Sequence, residues 1–423
     1  MRALGSRGEE ATMRRAALAV STTALVAAAL TAPVAAPLAA HATPTPTPSA
    51  SPSLPTITQT VDPVTSVGGA RLAEMNTVIV DAPSGVPKPP DVPDVAWVIA
   101  DADTGAVVAA KNPHAHLLPA STLKTLTALL LMHRLDPKDE LKATSVEAGA
   151  EGTRVGMVPG QHYTVAQLFQ ALIMSSGNDA AYGLATLNGG MDKTVDELNS
   201  LAAELGAHDT VVKDPSGLDA PGQVSSAYDL ALFGRAAIAD PDYVRLATTK
   251  QATFPGAASK TSRSRPTFAI GNHNRLVWNY PGALGVKNGY TKAAHRTFIG
   301  AAKRGDKTYI VTEMYGTGSS WRPAASLLDW AFAHGDKVKP VGRLVDRGEA
   351  VVRPKPAGSA ATPTPAVGSV EAGSRIATVK SPTADLDLLM PPVAVAGMAL
   401  LFVIWRRSSG SRRPARPAGR HRA

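Results

Sequence analysis

Leu117-Leu118-Pro119-Ala120-Ser121-Thr122-Leu123-Lys124-Thr125-Leu126-Thr127-Ala128-Leu129-Leu130-Leu131-Met132 is the stretch around which the chain is organised. From Ser121 on it reads as a buried helix. Pro119 marks the entry, because the residue before a proline is pushed out of helical space. Ser121 and Lys124, three apart, fall on one helix face about one turn from each other. That spacing brings an amine within hydrogen-bond reach of a hydroxyl. A serine hydroxyl is a weak nucleophile until a neighbouring base takes its proton, and a desolvated lysine amine is such a base. The apolar flanks favour the neutral amine. Alone, the pair reads equally as a helix N-cap followed by a solvated lysine, so the rest of the chain decides.

Ahead of this helix, Ala96 to Ala100 and Ala106 to Ala110 are strand candidates joined by the turn Asp103-Thr104-Gly105, a hairpin signal. The helix itself is expected to end near Arg134-Leu135-Asp136-Pro137. Residues 138–163 read as loops and short strands punctuated by glycines. Thr164 to Gln167 matches a capping box and opens a helix that stops at Met174-Ser175-Ser176-Gly177-Asn178-Asp179. Further helices are expected at Ala180 to Leu187, Val195 to Leu205 and Ser226 to Ile238. The pattern then switches to strands: Gly285 to Thr291, Thr297 to Ala302 and Lys307 to Met314, the last two joined by a hairpin turn at Arg304-Gly305-Asp306. Ser326 to His334 closes with a helix, and Val341 to Val352 either adds an edge strand or trails away. Strands, helices, strands and a last helix make one α+β domain, its body about 93 to 335 and its outer limits 93–353.

The ends differ in kind. Residues 1–42 have the features of a secretory signal: Arg14-Arg15, an apolar run Ala16 to Leu30, and the Ala40-His41-Ala42 cleavage pattern. An uncleaved anchor is the other reading, and the start is Met1 or Met13. Residues 43–92 form a Pro/Thr/Ser-rich spacer, partly ordered in its second half, and 354–387 a Pro/Ala-rich linker. Residues 388–405 are uncharged and apolar. At about 1.5 Å per residue they nearly cross a bilayer core of about 30 Å. Trp405 suits the interface, and the basic tail 406–423 suits the cytoplasmic side. This places the domain outside the cell, tethered in the membrane by a C-terminal helix.

The formal charge of +9 lies at those ends. Residues 406–423 hold seven arginines and no acid, and residues 1–42 carry a net +2, so residues 43–405 are balanced. That distribution argues against a nucleic-acid partner. The chain has no cysteine, which excludes a disulfide framework, a thiolate zinc site and a cysteine nucleophile. His114, His116 and His162 lack metal-ligand spacing with carboxylates, so neither metal nor cofactor is expected.

Within the domain, Ser121-x-x-Lys124 opens a helix, Ser176-Gly177-Asn178 sits in a break between two helices, and Lys287-Asn288-Gly289 starts a strand before a hairpin. Their order and elements match Ser-x-x-Lys, Ser-Asp-Asn and Lys-Thr-Gly, the set shared by penicillin-binding proteins and class A β-lactamases, with Gly177 and Asn288 at the middle positions of the last two. Over roughly 93–335 the chain resembles the low-molecular-weight D-alanyl-D-alanine carboxypeptidases, a serine peptidase family of penicillin-binding proteins. The likeness rests on Pro119 to Thr125, Ser175 to Ala181, Asp214-Pro215-Ser216-Gly217-Leu218 and Ser226 to Ala231. It does not extend to the β-rich domain that many members carry after the catalytic one.

The resemblance implies a DD-peptidase/β-lactamase-like fold, an antiparallel sheet and a mostly helical subdomain with the active site between them. It implies that peptidoglycan stem peptides are substrates and that β-lactams are covalent inhibitors. Ser121 would form the acyl-enzyme, Lys124 would take its proton, and Ser176 would relay a proton to the leaving amine. Ser176 is equally placed to cap the following helix. Asn178 would hold the substrate amide and Lys124. Lys287 would face the terminal carboxylate and depress the pKa of Lys124. Gly289 would let the substrate strand lie against the sheet edge. The N–H groups of Ser121 and Tyr290 would form the oxyanion hole, and Thr291 would support the carboxylate pocket. The turn Gly271-Asn272-His273-Asn274-Arg275 reads as structural or cleft-lining, and Arg322 as a further candidate for the carboxylate.

One position departs from the family pattern. Asn288 stands where a threonine or serine hydroxyl usually binds the substrate carboxylate. Losing a hydrogen bond to a charged group costs about 1.5–3 kcal/mol, so activity is expected to fall about ten- to a hundredfold or the preferred substrate to shift. Two alternatives follow. A β-lactamase would need a glutamate between the second and third motifs; Glu197 and Glu204 lie there, without the expected sequence context. A weakly catalytic wall-binding protein would rest on Asn288 alone.

Overall fold

The computed structural model describes residues 54–258, 264–318 and 320–350. The expected signal peptide, the first part of the spacer, the Pro/Ala-rich linker, the membrane helix and the basic tail lie outside them. Among the described residues no helix is long and apolar enough to cross a membrane.

The chain builds β1 (Val78–Val80), β2 (Asp94–Asp101) and β3 (Ala106–Lys111). The last two are the expected hairpin. Its turn is held by Asp101, whose Oδ1 accepts the Asp103 and Thr104 N–H groups, both at 2.9 Å. A 3₁₀ turn, Ala120–Leu123, runs straight into α1 (Lys124–Leu131). Next come β4 (Glu140–Lys142), α2 (Ser145–Ala148) and β5 (His162–Thr164). The helical run is α3 (Val165–Met174), α4 (Asn178–Leu187), α5 (Met191–Glu204), α6 (Ala227–Ala239) and α7 (Pro241–Thr248). A small hairpin, β6 (Gln251–Pro255) and β7 (Thr267–Gly271), leads through α8 (Leu276–Asn279) to β8 (Ala283–Thr291). The chain ends on β9 (His295–Arg304), β10 (Lys307–Gly316), α9 (Arg322–His334) and β11 (Gly342–Arg343).

The main sheet is antiparallel, in the order β1-β3-β2-β10-β9-β8, with β11 also paired to β3. Its central strands bury both faces, and their side chains alternate between two cores. Val98, Ala100 and Ile310 point into the helical side. Trp97, Ile99, Tyr309 and Val311 point to the other side, against Leu327, Leu328 and Trp330 of α9. The sheet is thus sandwiched between α6 and α9. Thr312 Oγ1 ties α6 to the sheet by donating to the Ala227 carbonyl at 2.7 Å. Strand β8 ends the sheet order, so its outer edge is available for an extended peptide.

The structure differs from the sequence expectations at several boundaries. The tetrad Ser121 to Lys124 is mostly 3₁₀, and only Lys124 begins the α-helix, which stops at Leu131 rather than near Arg134. Helix α9 starts at Arg322, four residues ahead of Ser326, because Pro323 sits in its first turn, where its missing N–H is harmless. The second half of the spacer is part of the domain: β1 pairs with β3, and Ile57, Leu72 and Ile79 are buried. Each of these plugs the core singly in a proline-rich stretch, so no periodic pattern announces them. At the other end, Gly342 and Arg343 form the edge strand.

Candidate active site

Three segments meet between the sheet edge and the helices. The first is the 3₁₀ turn that carries Ser121. Its entry is distorted: Ala120 has φ 47°, a left-handed conformation that a non-glycine residue adopts only when its surroundings enforce it. Thr122 Oγ1 and Thr297 Oγ1 both donate to the Pro119 carbonyl, at 2.5 and 2.8 Å. Gly217 packs so closely that a Cβ there would sit 2.0 Å from the Ala120 carbonyl oxygen. These contacts aim the half-buried Ser121 at the cleft.

Lys124 is fully buried one turn on. Its Nζ has three partners: Ser121 Oγ at 3.0 Å, Asn178 Oδ1 at 2.5 Å and the Ser216 carbonyl at 2.6 Å. Burial pushes its pKa down to about 7, against the opposing pull of Asp214 and Asp179. Asn178 Oδ1 and the Ser216 oxygen accept only. A neutral amine therefore gives them its two N–H bonds and leaves its lone pair facing Ser121 Oγ. That is the geometry of a general base.

The second segment is the break between α3 and α4. Ser176 is left-handed, with φ 60°. The N-cap of α4 is Gly177 and it makes no side-chain cap, so Ser176 is not the cap of that helix. Its hydroxyl instead accepts from Lys287 Nζ at 3.0 Å. Asn178 also donates from Nδ2 to the Glu151 carbonyl at 2.6 Å. Asp179 was missed by the sequence reading. Its carboxylate accepts the N–H groups of Val155, Gly156 and Met157 at 2.9–3.0 Å and so fixes one wall of the cleft.

The third segment is β8. Lys287 is buried, and its Nζ donates to Ser176 and to the Asn288 carbonyl at 2.8 Å. Burial, and then the Lys124 charge, hold its pKa well below the usual lysine range. Burial is the main cause of the depression of both amines, and the repulsion between Lys124 and Lys287 disfavours charging the two together. At Gly289 a Cβ would lie 2.7 Å from the Ser121 nitrogen and 2.5 Å from Thr297 Oγ1. Only glycine leaves the space before the Ser121 N–H clear. Tyr290 is exposed and sits opposite Arg296 in the register. Thr291 Oγ1 donates to Asp219 Oδ1 at 2.9 Å across the cleft and accepts the Ala294 N–H.

Asn288 falls on the opposite strand face from Lys287. It lines a groove with His273, Arg275, Tyr290, Ser320 and Trp321. In the turn that feeds this groove, Asn272 and Asn274 are structural. Asn272 Nδ2 donates to the Ala247 and Thr249 carbonyls, and Asn274 Oδ1 accepts the Leu276 N–H. Arg275 supplies positive charge to the lining. Burial, then Lys287 and Arg275, lower the His273 pKa. Arg322 lies over the Trp321 ring, its guanidinium carbon 5.4 Å from the centroid.

The other singled-out residues have separate partners. His114 and His116 share the Asp209 carboxylate, at 2.7 and 3.5 Å, and His162 pairs with Glu140 at 3.2 Å. Among the described residues no group of three or more His, Cys, Asp or Glu is placed to hold a metal ion. Glu197 is held by Asn188, Arg134 and Lys193, and Glu204 by Arg347. Neither stands with the Ser121 cluster, where a deacylating water would need its base.

The family model described as D-alanyl-D-alanine carboxypeptidase matches residues 84–316. The chain is 41% identical over 258 residues to D-alanyl-D-alanine carboxypeptidase DacB2 of Mycobacterium tuberculosis, covering 59% of this chain and 86% of that protein. It is 32% identical over 244 residues to D-alanyl-D-alanine carboxypeptidase DacF of Bacillus subtilis, covering 56% of this chain and 61% of that longer protein. Among solved structures, a D-alanyl-D-alanine carboxypeptidase from M. tuberculosis is similar with a TM-score of 0.58 and 40% identity, covering 62% of this chain and 99% of that chain. The Streptomyces K15 DD-transpeptidase has a TM-score of 0.55 and 25% identity, covering 58% of this chain and 100% of that chain.

Proposed function

Since this chain belongs to the D-alanyl-D-alanine carboxypeptidase family, we propose the following division of labour for removing the terminal D-Ala from peptidoglycan stem peptides. The observation that carries it is the position of the buried Lys124 Nζ, 3.0 Å from Ser121 Oγ and held from behind by two acceptors, Asn178 Oδ1 and the Ser216 carbonyl. Ser121 attacks the carbonyl of the penultimate D-Ala while Lys124 takes its proton. The developing oxyanion is met by the Ser121 and Tyr290 N–H groups at the edge of β8. Ser176, its hydroxyl held by Lys287, relays to the departing D-Ala amine the proton that Lys124 took from Ser121, which leaves Lys124 neutral again for the water step. The substrate lies along β8 as an added strand, with its terminal carboxylate toward the Asn288 groove and Arg275. Water then resolves the acyl-enzyme. β-Lactams, which present an amide carbonyl and a carboxylate in the same relation, acylate Ser121.

The same reading places the domain outside the cell, exported by the signal in residues 1–42 and held in the membrane by residues 388–405. Its support is the composition of those segments, and fractionation with protease accessibility in intact cells tests it. For the chemistry, a fluorescent penicillin should label the purified chain, and Ser121→Ala should abolish the label. D-Ala should be released from a diacyl-D-Ala-D-Ala peptide. Absence of both from the native chain would sink the proposal.

A further inference from the structure

The Lys124 geometry depends on a residue that touches neither Ser121 nor any substrate. Of the three partners around Nζ, the Ser216 carbonyl comes from a loop 92 residues away in sequence. A carbonyl on such a loop points reliably only if the loop is braced. The brace is Asp214. Its Oδ1 accepts both the N–H of Ser216, at 2.7 Å, and the Ser216 hydroxyl. Its Oδ2 accepts the Tyr182 hydroxyl at 2.7 Å. Burial, and then the bond to Asp214, push the Tyr182 pKa up, so this phenol stays a donor. Thr127 Oγ1 donates to the Pro215 carbonyl at 2.6 Å and locks the same loop to α1.

We propose that Asp214 is a positioning residue for the general base: through Ser216 it holds the acceptor that turns the Lys124 lone pair toward Ser121. The inference rests on the assignment of Lys124 as the base. If the Ser216 carbonyl swung away, an amine N–H would be released to seek Ser121 Oγ, and the lone pair would face the wrong way. Asp214 has a second, electrostatic effect on the same amine. Three charged groups face Lys124: Asp214 from the loop, Asp179 from α4 and Lys287 from β8. The two carboxylates oppose the effect of burial, Asp214 more than Asp179.

The two effects separate in two variants. Asp214→Asn keeps an oxygen for Ser216 and removes the charge. Asp214→Ala removes both. The measurement is the second-order rate of Ser121 acylation by a fluorescent penicillin between pH 5 and 9. In both variants the acidic limb should move to lower pH by roughly one unit, the low end of what a neighbouring opposite charge does. The plateau rate should fall about tenfold or more in Asp214→Ala and much less in Asp214→Asn. An unmoved limb in Asp214→Asn, or equal plateau losses in both that track their melting temperatures, overturns the proposal. If Asp214→Ala does not fold, the Asp214→Asn limb decides alone. Failure of the native chain to acylate at all would instead count against the Ser121–Lys124 assignment itself.

Discussion

Lys124 Nζ stands 3.0 Å from Ser121 Oγ and only 2.6 Å from the carbonyl of Ser216, so the base is gripped more tightly by the loop behind it than by the nucleophile it serves. That asymmetry suits a group that must part with a proton it has just accepted. The tight contacts with Ser216 and Asn178 set the orientation of the amine, while the longer contact with Ser121 is the one along which a proton moves. Lys124 is protonated in the ordinary lysine state and must be neutral to act. Burial makes this feasible near neutral pH.

The acylation rate should therefore rise with pH through about 7 and level off above it. Below that point only the protonated amine is present and the rate should drop about tenfold per pH unit. Stopped-flow labelling with a fluorescent penicillin reads this directly. A profile without a limb near neutrality would mean that Lys124 is not the titrating base.

This pair was legible in the sequence because both residues sit on one turn and the spacing alone brings them together. Ser176-Gly177-Asn178 was legible as a break between two helical patterns, and Lys287-Asn288-Gly289 as a strand start. The link from Tyr182, Asp214 and Ser216 to Lys124 was not, although Asp214-Pro215-Ser216-Gly217-Leu218 carries part of the family likeness. Their effect on Lys124 runs through a single carbonyl from a distant loop, and one long-range polar contact leaves no periodic trace. The same holds for Ile57, Leu72 and Ile79, which reach the core one at a time. The extent to which burial depresses both Lys124 and Lys287 was not legible, because burial on both sides of the cleft is a property of packing rather than of motif spacing.

Gly289→Ala should leave the fold intact and nearly abolish acylation. The added methyl would sit 2.7 Å from the Ser121 nitrogen and 2.5 Å from Thr297 Oγ1, so the turn that carries Ser121 must shift. Loss of one oxyanion donor lowers rates about 10²–10³-fold, and a loss of that size is expected together with an overpacking cost of about 1–3 kcal/mol in stability. Acylation at the native rate would show that the oxyanion is stabilised elsewhere.

Asn288→Thr should raise the catalytic efficiency of D-Ala release about tenfold, mainly through KM, by restoring a hydroxyl where the substrate carboxylate arrives. Penicillin acylation should rise in parallel, since the inhibitor carries the equivalent carboxylate. The comparison is made on a diacyl-D-Ala-D-Ala peptide. An unchanged or lower efficiency would shift carboxylate recognition to Arg275, which shares the groove with Asn288.

Stability offers an independent check on the state of Lys124. In the unfolded chain this amine is charged up to about its ordinary value of 10.5, whereas in the folded chain it is charged only below about 7. Between these limits the unfolded state binds more protons, so the stability of the native chain should rise with pH, by up to about 1.4 kcal/mol per unit from this group alone. Lys124→Met keeps the apolar stem and removes the titration. Lys287 titrates in both proteins, and the part of its shift that comes from Lys124 falls in the same difference with the same sign. The stability of the native chain relative to Lys124→Met, taken from urea unfolding at pH 7, 8 and 9, should therefore climb steadily in favour of the native chain. A flat difference would mean that Lys124 remains charged when folded, and an acidic limb in the acylation profile would then belong to another group in the cleft.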